Sequence, residues 1–167
     1  MRTGRTRSRS GAVGRTWLDI PPGEVAVTQD FHVLPAPARL ENFQPHMHMR
    51  GKAMSLEAIY PDGRKELLSQ VNNFQWNWHV NYIYADDAAP LLPKGTTLVI
   101  TAWHDNTPEN PNNPDHRQWV GWGDRTVDEM AHLWVDVTYL DEDEYDLEVA
   151  KRARLAEEKS RRESGRK

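Results

Sequence analysis

Apolar and polar residues alternate along several stretches of the chain, and a period of two marks a strand with one buried face. Between Glu24 and Val33 the residues Val25, Val27, Phe31 and Val33 share one parity, which predicts a half-buried strand. In Ala53 to Tyr60 the set Met54, Leu56, Ala58 and Tyr60 does the same, and Pro61-Asp62-Gly63-Arg64 then supplies turn chemistry that folds the chain back into Lys65 to Val71 as a hairpin. Trp76 to Tyr84 reads as a third strand, with Trp76, Trp78, Val80, Tyr82 and Tyr84 on one face and Asn77, His79 and Asn81 on the other. Leu92-Pro93-Lys94-Gly95 is a turn into a strand over Thr96 to His104, rich in β-branched residues. The last strand runs from Met130 to Leu140. Its odd positions Ala131, Leu133, Val135, Val137 and Tyr139 form a core stripe, which turns Met130, His132, Trp134 and Asp136 to the opposite side.

Between these strands, Asp105 to Asp115 (DNTPENPNNPD) carries three prolines and four asparagines. No regular ladder tolerates that density of proline, so the segment is expected as a long, ordered surface loop held by side-chain-to-backbone turns. Many short strands with no helix among them predict an all-β domain, an antiparallel β-sandwich of jelly-roll type. No internal repeat is visible.

Composition sets the limits of that domain. The chain has 167 residues, 38% hydrophobic and 28% charged, which fits one soluble domain with polar extensions and leaves no room for two. Its longest apolar runs are a few residues, so neither a membrane span nor an N-terminal signal peptide is expected. The absence of cysteine excludes disulfides, thiolate metal sites and thiol catalysis without deciding the compartment.

Charge divides the chain into three. Residues 1–16 hold five arginines and no acid, and are expected as a disordered basic tail. Residues 17–140, the sandwich, hold 16 acids against 8 bases, a balance that repels phosphate backbones and argues against a nucleic-acid partner. Residues 141–167 hold 9 acids against 8 bases in good helix formers with few apolar residues, and form a charged tail, helical or disordered.

The chemistry concentrates in Pro45-His46-Met47-His48-Met49-Arg50-Gly51. An H-x-H pair on a strand puts two imidazoles on one face, spaced to share a metal, although two histidines on a polar strand face have the same spacing. A third ligand is required. Met130 lies opposite the core stripe, where a packing methionine is not needed, and a thioether with two imidazoles suits copper, Cu(I) above all; the alternative is a residue filling a gap at a strand end.

The segments PHMHMRGKAMSLEAIYPDGRKELL, LPKGTTLVITAWHDNTPENPNNPD and WGDRTVDEMAHLWVDV, in this order, resemble the C-terminal domain of copper type II, ascorbate-dependent monooxygenases, in particular the bacterial branch. The best-characterised relatives are the peptidylglycine hydroxylating and dopamine β-monooxygenases, and the match runs from about Pro21 to Leu140. The resemblance implies that His46 and His48 hold the oxygen-binding copper and that Met130, in Asp128-Glu129-Met130, is its thioether ligand. It further implies an oxidoreductase that uses dioxygen and an external reductant such as ascorbate to hydroxylate a C–H bond of a small-molecule or peptide substrate. In the family a second copper domain precedes this one and delivers an electron; it is missing from these 167 residues. Relatives are usually exported, which points to a periplasmic or secreted location if the chain belongs to a longer exported protein.

A further departure bears on substrate. Peptide-amidating members carry an arginine two residues before the H-x-H pair, and an asparagine and a tyrosine two and four residues after the methionine. Here those positions are Gln44, His132 and Trp134, which would line the pocket without gripping a peptide carboxylate. His104, at a strand end, either approaches the metal from behind its ligands or satisfies a loop backbone; His32, His79 and His116 read as surface or hydrogen-bonded residues. A rival reading is a non-catalytic binding or assembly module that keeps the fold and the metal. A cupin is disfavoured, because no glutamate follows the H-x-H pair by three or four residues.

Overall fold

The computed structural model describes residues 18–164 and the backbone of residues 7–13. The architecture is mostly β: β1 (Arg7–Val13), β2 (Asp19–Ile20), β3 (Val25–Val33), β4 (Ala38–Leu40), β5 (Asn42–His46), β6 (Gly51–Ile59), β7 (Lys65–Val71), β8 (Tyr82–Ile83), β9 (Leu91–Leu92), β10 (Thr97–Asp105), β11 (Val120–Gly121) and β12 (His132–Tyr139), followed by one helix, α1 (Glu142–Ser164). One sheet has the order β3-β10-β6-β7; the other is built on β12, with β4 and β5 along one edge and β1 pairing with it too. All strand pairs are antiparallel.

The two large sheets share one core. Met54, Leu56, Ala58, Leu98, Ile100 and Ala102 from the first pack with Leu40, Phe43, Leu133, Val135 and Val137 from the second. The core stripes expected on β6 and β12 are therefore the observed ones. The hairpin between β6 and β7 also forms as expected: Gly63 takes φ 85°, a left-handed conformation suited to glycine, and the Arg64 N–H bonds to the Asp62 carboxylate at 2.9 Å.

β4 and β5 act as one interrupted strand. Leu40 lies opposite Val137 and His46 opposite His132, so the register slips by one residue between them. Glu41 is the extra residue, making a bulge. Its N–H donates to the Asp136 carbonyl at 2.9 Å, and the Asn42 side chain accepts from the Asp136 N–H at 2.7 Å, replacing the lost ladder bond. Because the slip is one residue, it decides which parity of β5 faces outward, and so where His46 points.

Three expectations are corrected. Val25, Val27, Phe31 and Val33 do not face the core but are exposed, Phe31 to 66%. The pairing of β3 with β10 sets Phe31 beside Val99 and Val27 beside Trp103, on the face opposite buried Leu98, Ile100 and Ala102. An apolar stripe on this strand thus covers the outside of the sheet. The span from Trp76 to Tyr84 is a strand only at Tyr82–Ile83; the rest is turn and loop, with Trp78 74% exposed. Asparagine at 72, 73, 77 and 81 favours turns, and only two residues find a partner, in β5. The third correction concerns the basic opening: residues 7–13 of the segment expected as a disordered tail run as a strand antiparallel to β12, and its other residues lie outside the described ones. A ladder uses main-chain groups, so a segment that opens on alternating arginine and serine can pair with the β12 edge.

The loop after β10 is held as its composition predicts. Thr107 N–H donates to the Asp105 carboxylate at 3.1 Å and Asn112 N–H to Asn110 Oδ1 at 3.0 Å, while Asn110 reaches the Asp105 carbonyl at 2.8 Å. The helix α1 opens on a reciprocal cap, Glu144 N–H to the Asp141 carboxylate at 2.8 Å and Asp141 N–H to the Glu144 carboxylate at 3.3 Å. It buries no residue, and Arg152 ties it to the body through the carbonyls of Ala89 and Asp86.

Candidate functional site

The site lies where β5 ends and β12 begins. His46 pairs directly with His132 and Gln44 with Trp134, so these four side chains share one face of the sheet, the face opposite the Leu133 and Val135 stripe. The His46 ring stands 6.4 Å from that of His132 and 6.3 Å from that of Trp134, centroid to centroid, both near-parallel. Trp134 is half exposed. The three residues expected to line a pocket are thus brought together beside His46.

Past His46 the chain turns through Met47 to Arg50 into β6. This turn is locked by a buried carboxylate. Glu129, fully buried, accepts the His48 N–H at 3.0 Å and the Arg50 N–H at 2.6 Å. Arg50, also buried, sends Nε to Asn106 Oδ1 at 2.9 Å and Nη1 to the Val127 carbonyl at 2.9 Å. Asn106 in turn donates to the carbonyls of Pro21 and Gln118, each at 2.9 Å, and receives Asn113 Nδ2 at 2.9 Å. Every polar group of this Asn106 side chain is satisfied, as burial requires. Four separate segments are fastened to the H-x-H turn by three residues.

The imidazoles differ in what their nitrogens do. His48 is buried, and its Nδ1 lies 3.1 Å from the Asp128 carbonyl. A carbonyl only accepts, so Nδ1 carries the proton and Nε2 keeps a free lone pair. Asp128 is itself gripped by Arg125, Nη2 to carboxylate at 2.7 Å. The His46 ring lies 5.4 Å from that of His48 and 4.5 Å from that of His79. Burial, then the neighbouring His79, His48 and His132, pushes the His46 imidazole down to about 4, so it is neutral and able to donate its lone pair at neutral pH. Burial also lowers His132.

His104 is placed behind this cluster. It is fully buried, its Nε2 donates to the Met130 carbonyl at 3.1 Å and lies 3.6 Å from the Glu129 carboxylate, and its Nδ1 has no hydrogen-bond partner. Burial pushes it down to about 4, while burial pushes the Glu129 acid up to about 7. Met130, half-buried, stands two residues before His132 at the approach to β12, with its carbonyl fixed by His104.

No protein-family model matches the chain, and no curated protein matches it. Among the described residues no group of three or more His, Cys, Asp or Glu stands ready to hold a metal ion. The donor set fits one nonetheless: two neighbouring imidazoles with lone pairs free, the Nδ1–H of one fixed by a carbonyl, is the ligand pattern in which an outer hydrogen bond orients the ring. No helix among the described residues is long and apolar enough to cross a membrane.

Sequence reasoning missed His79, Arg50, Asn106 and Glu129 as a working group. His79 falls on the polar face of the strand expected over Trp76 to Tyr84, of which only Tyr82–Ile83 forms. Of the other three, Asn106 falls in the expected surface loop and Arg50 and Glu129 carry no role in the sequence reading; the one signal in the sequence is their company, an arginine two residues after His48 and a glutamate directly before the candidate thioether.

Proposed function

We propose that this protein is the oxygen-activating copper half of a copper-dependent monooxygenase, built on a two-layer β-sandwich of jelly-roll topology, that hydroxylates a C–H bond of an organic substrate. The observation that carries the reading is the pair of imidazoles at the end of β5 and in the turn that follows it, ring centroids 5.4 Å apart with Nε2 of His48 free, set beside the strand that Met130 leads into. His46, His48 and Met130 are the ligands. Copper bound there would supply a one-electron redox couple at which dioxygen is activated, with ascorbate or a similar reductant restoring Cu(I).

The chain's own residues supply the rest. Glu129 holds the main chain at His48 and Arg50, and the Asp128 carbonyl takes the Nδ1–H, leaving Nε2 as the nitrogen that would bind the metal. Trp134 and Gln44 offer an apolar plate and an amide beside His46, where a substrate lies against the metal without a carboxylate clamp. Hydroxylation of a C–H bond by dioxygen takes two electrons and two protons and releases water, and one copper gives one electron. The second comes from a histidine-ligated copper unit outside these 167 residues.

The test is a titration with Cu(I) and Zn(II) against a competing chelator, followed by product formed per dioxygen consumed. Copper preferred over zinc, and lost on replacing His46 and His48 together with alanine, is the expected outcome. Coupled turnover is expected once a second copper unit is added. Copper binding unchanged in the double variant removes the reading. A copper-loaded pair that hydroxylates no candidate substrate transfers it to a binding module.

A further inference from the structure

We propose that His79 is a third imidazole ligand of the metal held at His46 and His48, delivered by the loop between β7 and β8. The inference rests on the copper reading above and changes its ligand set from two nitrogens and a thioether to three nitrogens and a thioether.

The geometry is decided by ring centroids. An imidazole nitrogen sits about 2.0–2.1 Å from such an ion, which puts the ring centroid about 3.2 Å away, so two imidazoles at 90–120° have centroids about 4.5–5.5 Å apart. His46 and His79 are 4.5 Å apart, and His46 and His48 are 5.4 Å apart. His132, at 6.4 Å and near-parallel to His46 because the two sit opposite each other on paired strands, falls outside that range and flanks the site. The nitrogens themselves do not yet converge. Rotation about Cβ–Cγ turns them, however, while leaving the centroid close to the rotation axis, and that torsion is broad for histidine. Closing the site would turn the His46 and His79 rings toward His48, whose own ring is held by the Asp128 carbonyl.

His79 is also held in place, although it is exposed. The buried Phe74 ring lies 5.7 Å from it, near-parallel, so His79 is caught between Phe74 and His46. Phe74 is anchored by its N–H to the Lys52 carbonyl at 2.9 Å, and it reaches that position because residue 51 is glycine: a Cβ there would stand 2.9 Å from Phe74 Cδ1. Among the described residues neither the His46 nor the His79 ring has a hydrogen-bond partner. Two lone pairs are thus left at one spot with nothing in the protein to accept them.

The test uses the full chain, Cu(II) and electron paramagnetic resonance, with nitrogen hyperfine structure counting imidazoles and a competing chelator giving affinity. Wild type is expected to show three nitrogens. His79→Ala should show two and bind Cu(II) about tenfold or more weaker, while His132→Ala stays within about twofold of wild type. The apo melting temperature of His79→Ala should match wild type, because the side chain is exposed. If His79→Ala keeps three nitrogens and wild-type affinity while the His46→Ala/His48→Ala double variant loses copper, His79 is no ligand and the copper reading stands. If the double variant keeps copper too, both fall.

Discussion

The buried carboxylate of Glu129 gives the sharpest test of how the H-x-H turn is held, through Glu129→Ala. The truncation leaves the His48 and Arg50 N–H groups, now bonded at 3.0 and 2.6 Å, without acceptors in a site closed to water. Each orphaned donor costs about 1–3 kcal/mol, so the variant is expected to lose about 2–6 kcal/mol at pH 5. That is several degrees of melting temperature at about 2–4 °C per kcal/mol for a chain of this size. The cost should shrink as pH rises. Burial lifts the acid from 4.5 to about 7, so between those values the folded state holds a proton that the unfolded chain has released. Wild type therefore loses stability as pH rises through this window, and a variant without the acid does not. From pH 5 to pH 8 the difference between the two closes by about 2.5 kcal/mol. Urea melts of apo wild type and Glu129→Ala at both pH values measure it directly. A cost under about 1 kcal/mol at pH 5 would refute the role of the two N–H bonds. A gap that widens toward pH 8 would mean that the N–H groups and Arg50 stabilise the ionised acid more than burial opposes it.

Gly51→Ala places a Cβ 2.5 Å from Met47 Cβ and 2.9 Å from Phe74 Cδ1, so it should destabilise the apo protein by about 1–3 kcal/mol and weaken copper binding together, read by melts and chelator competition. Phe31→Ser on exposed β3 is expected to stay within about 0.5 kcal/mol of wild type, whereas Leu56→Ala, fully buried, should cost about 2–5 kcal/mol; equal costs would return the Phe31 face to the core. Residues 1–167 with ascorbate and copper alone should consume dioxygen without matching product, because one copper supplies one electron. Product per dioxygen near one from the chain alone would defeat the half-enzyme assignment.

Where one face of a strand meets the core, the alternation of residues was enough to place it. β6 and β12 show this, since Met54, Leu56 and Ala58 on one and Leu133, Val135 and Val137 on the other are buried as their parity requires. Parity reports two faces but not which of them is covered. On β3 the apolar face is the outer one, because the register with β10 aligns it with Val99 and Trp103 while Ala26, Thr28 and Asp30 lie on the inner side. The aromatic alternation of residues 76–84 lacked something else, a partner strand long enough to pair with it. His79 was misplaced with that segment.

The same limit explains why the site was half legible. His46 and His48 are neighbours in sequence, so their spacing carried information, and the position of His132 followed from the parity of β12. Glu129, Arg50 and Asn106 come from three distant segments, and each taken singly is the kind of residue that belongs on a surface. Their burial becomes intelligible only as a set: the carboxylate accepts from the turn that holds the arginine, and the amide takes the arginine's Nε while tying two further loops. Removing one member strands the others, so the group is costly to break one residue at a time. The copper site proposed above would draw on that rigidity. A backbone that is already fixed presets the separation of the two imidazoles, and here it is bonded to Glu129 at His48 and again at Arg50.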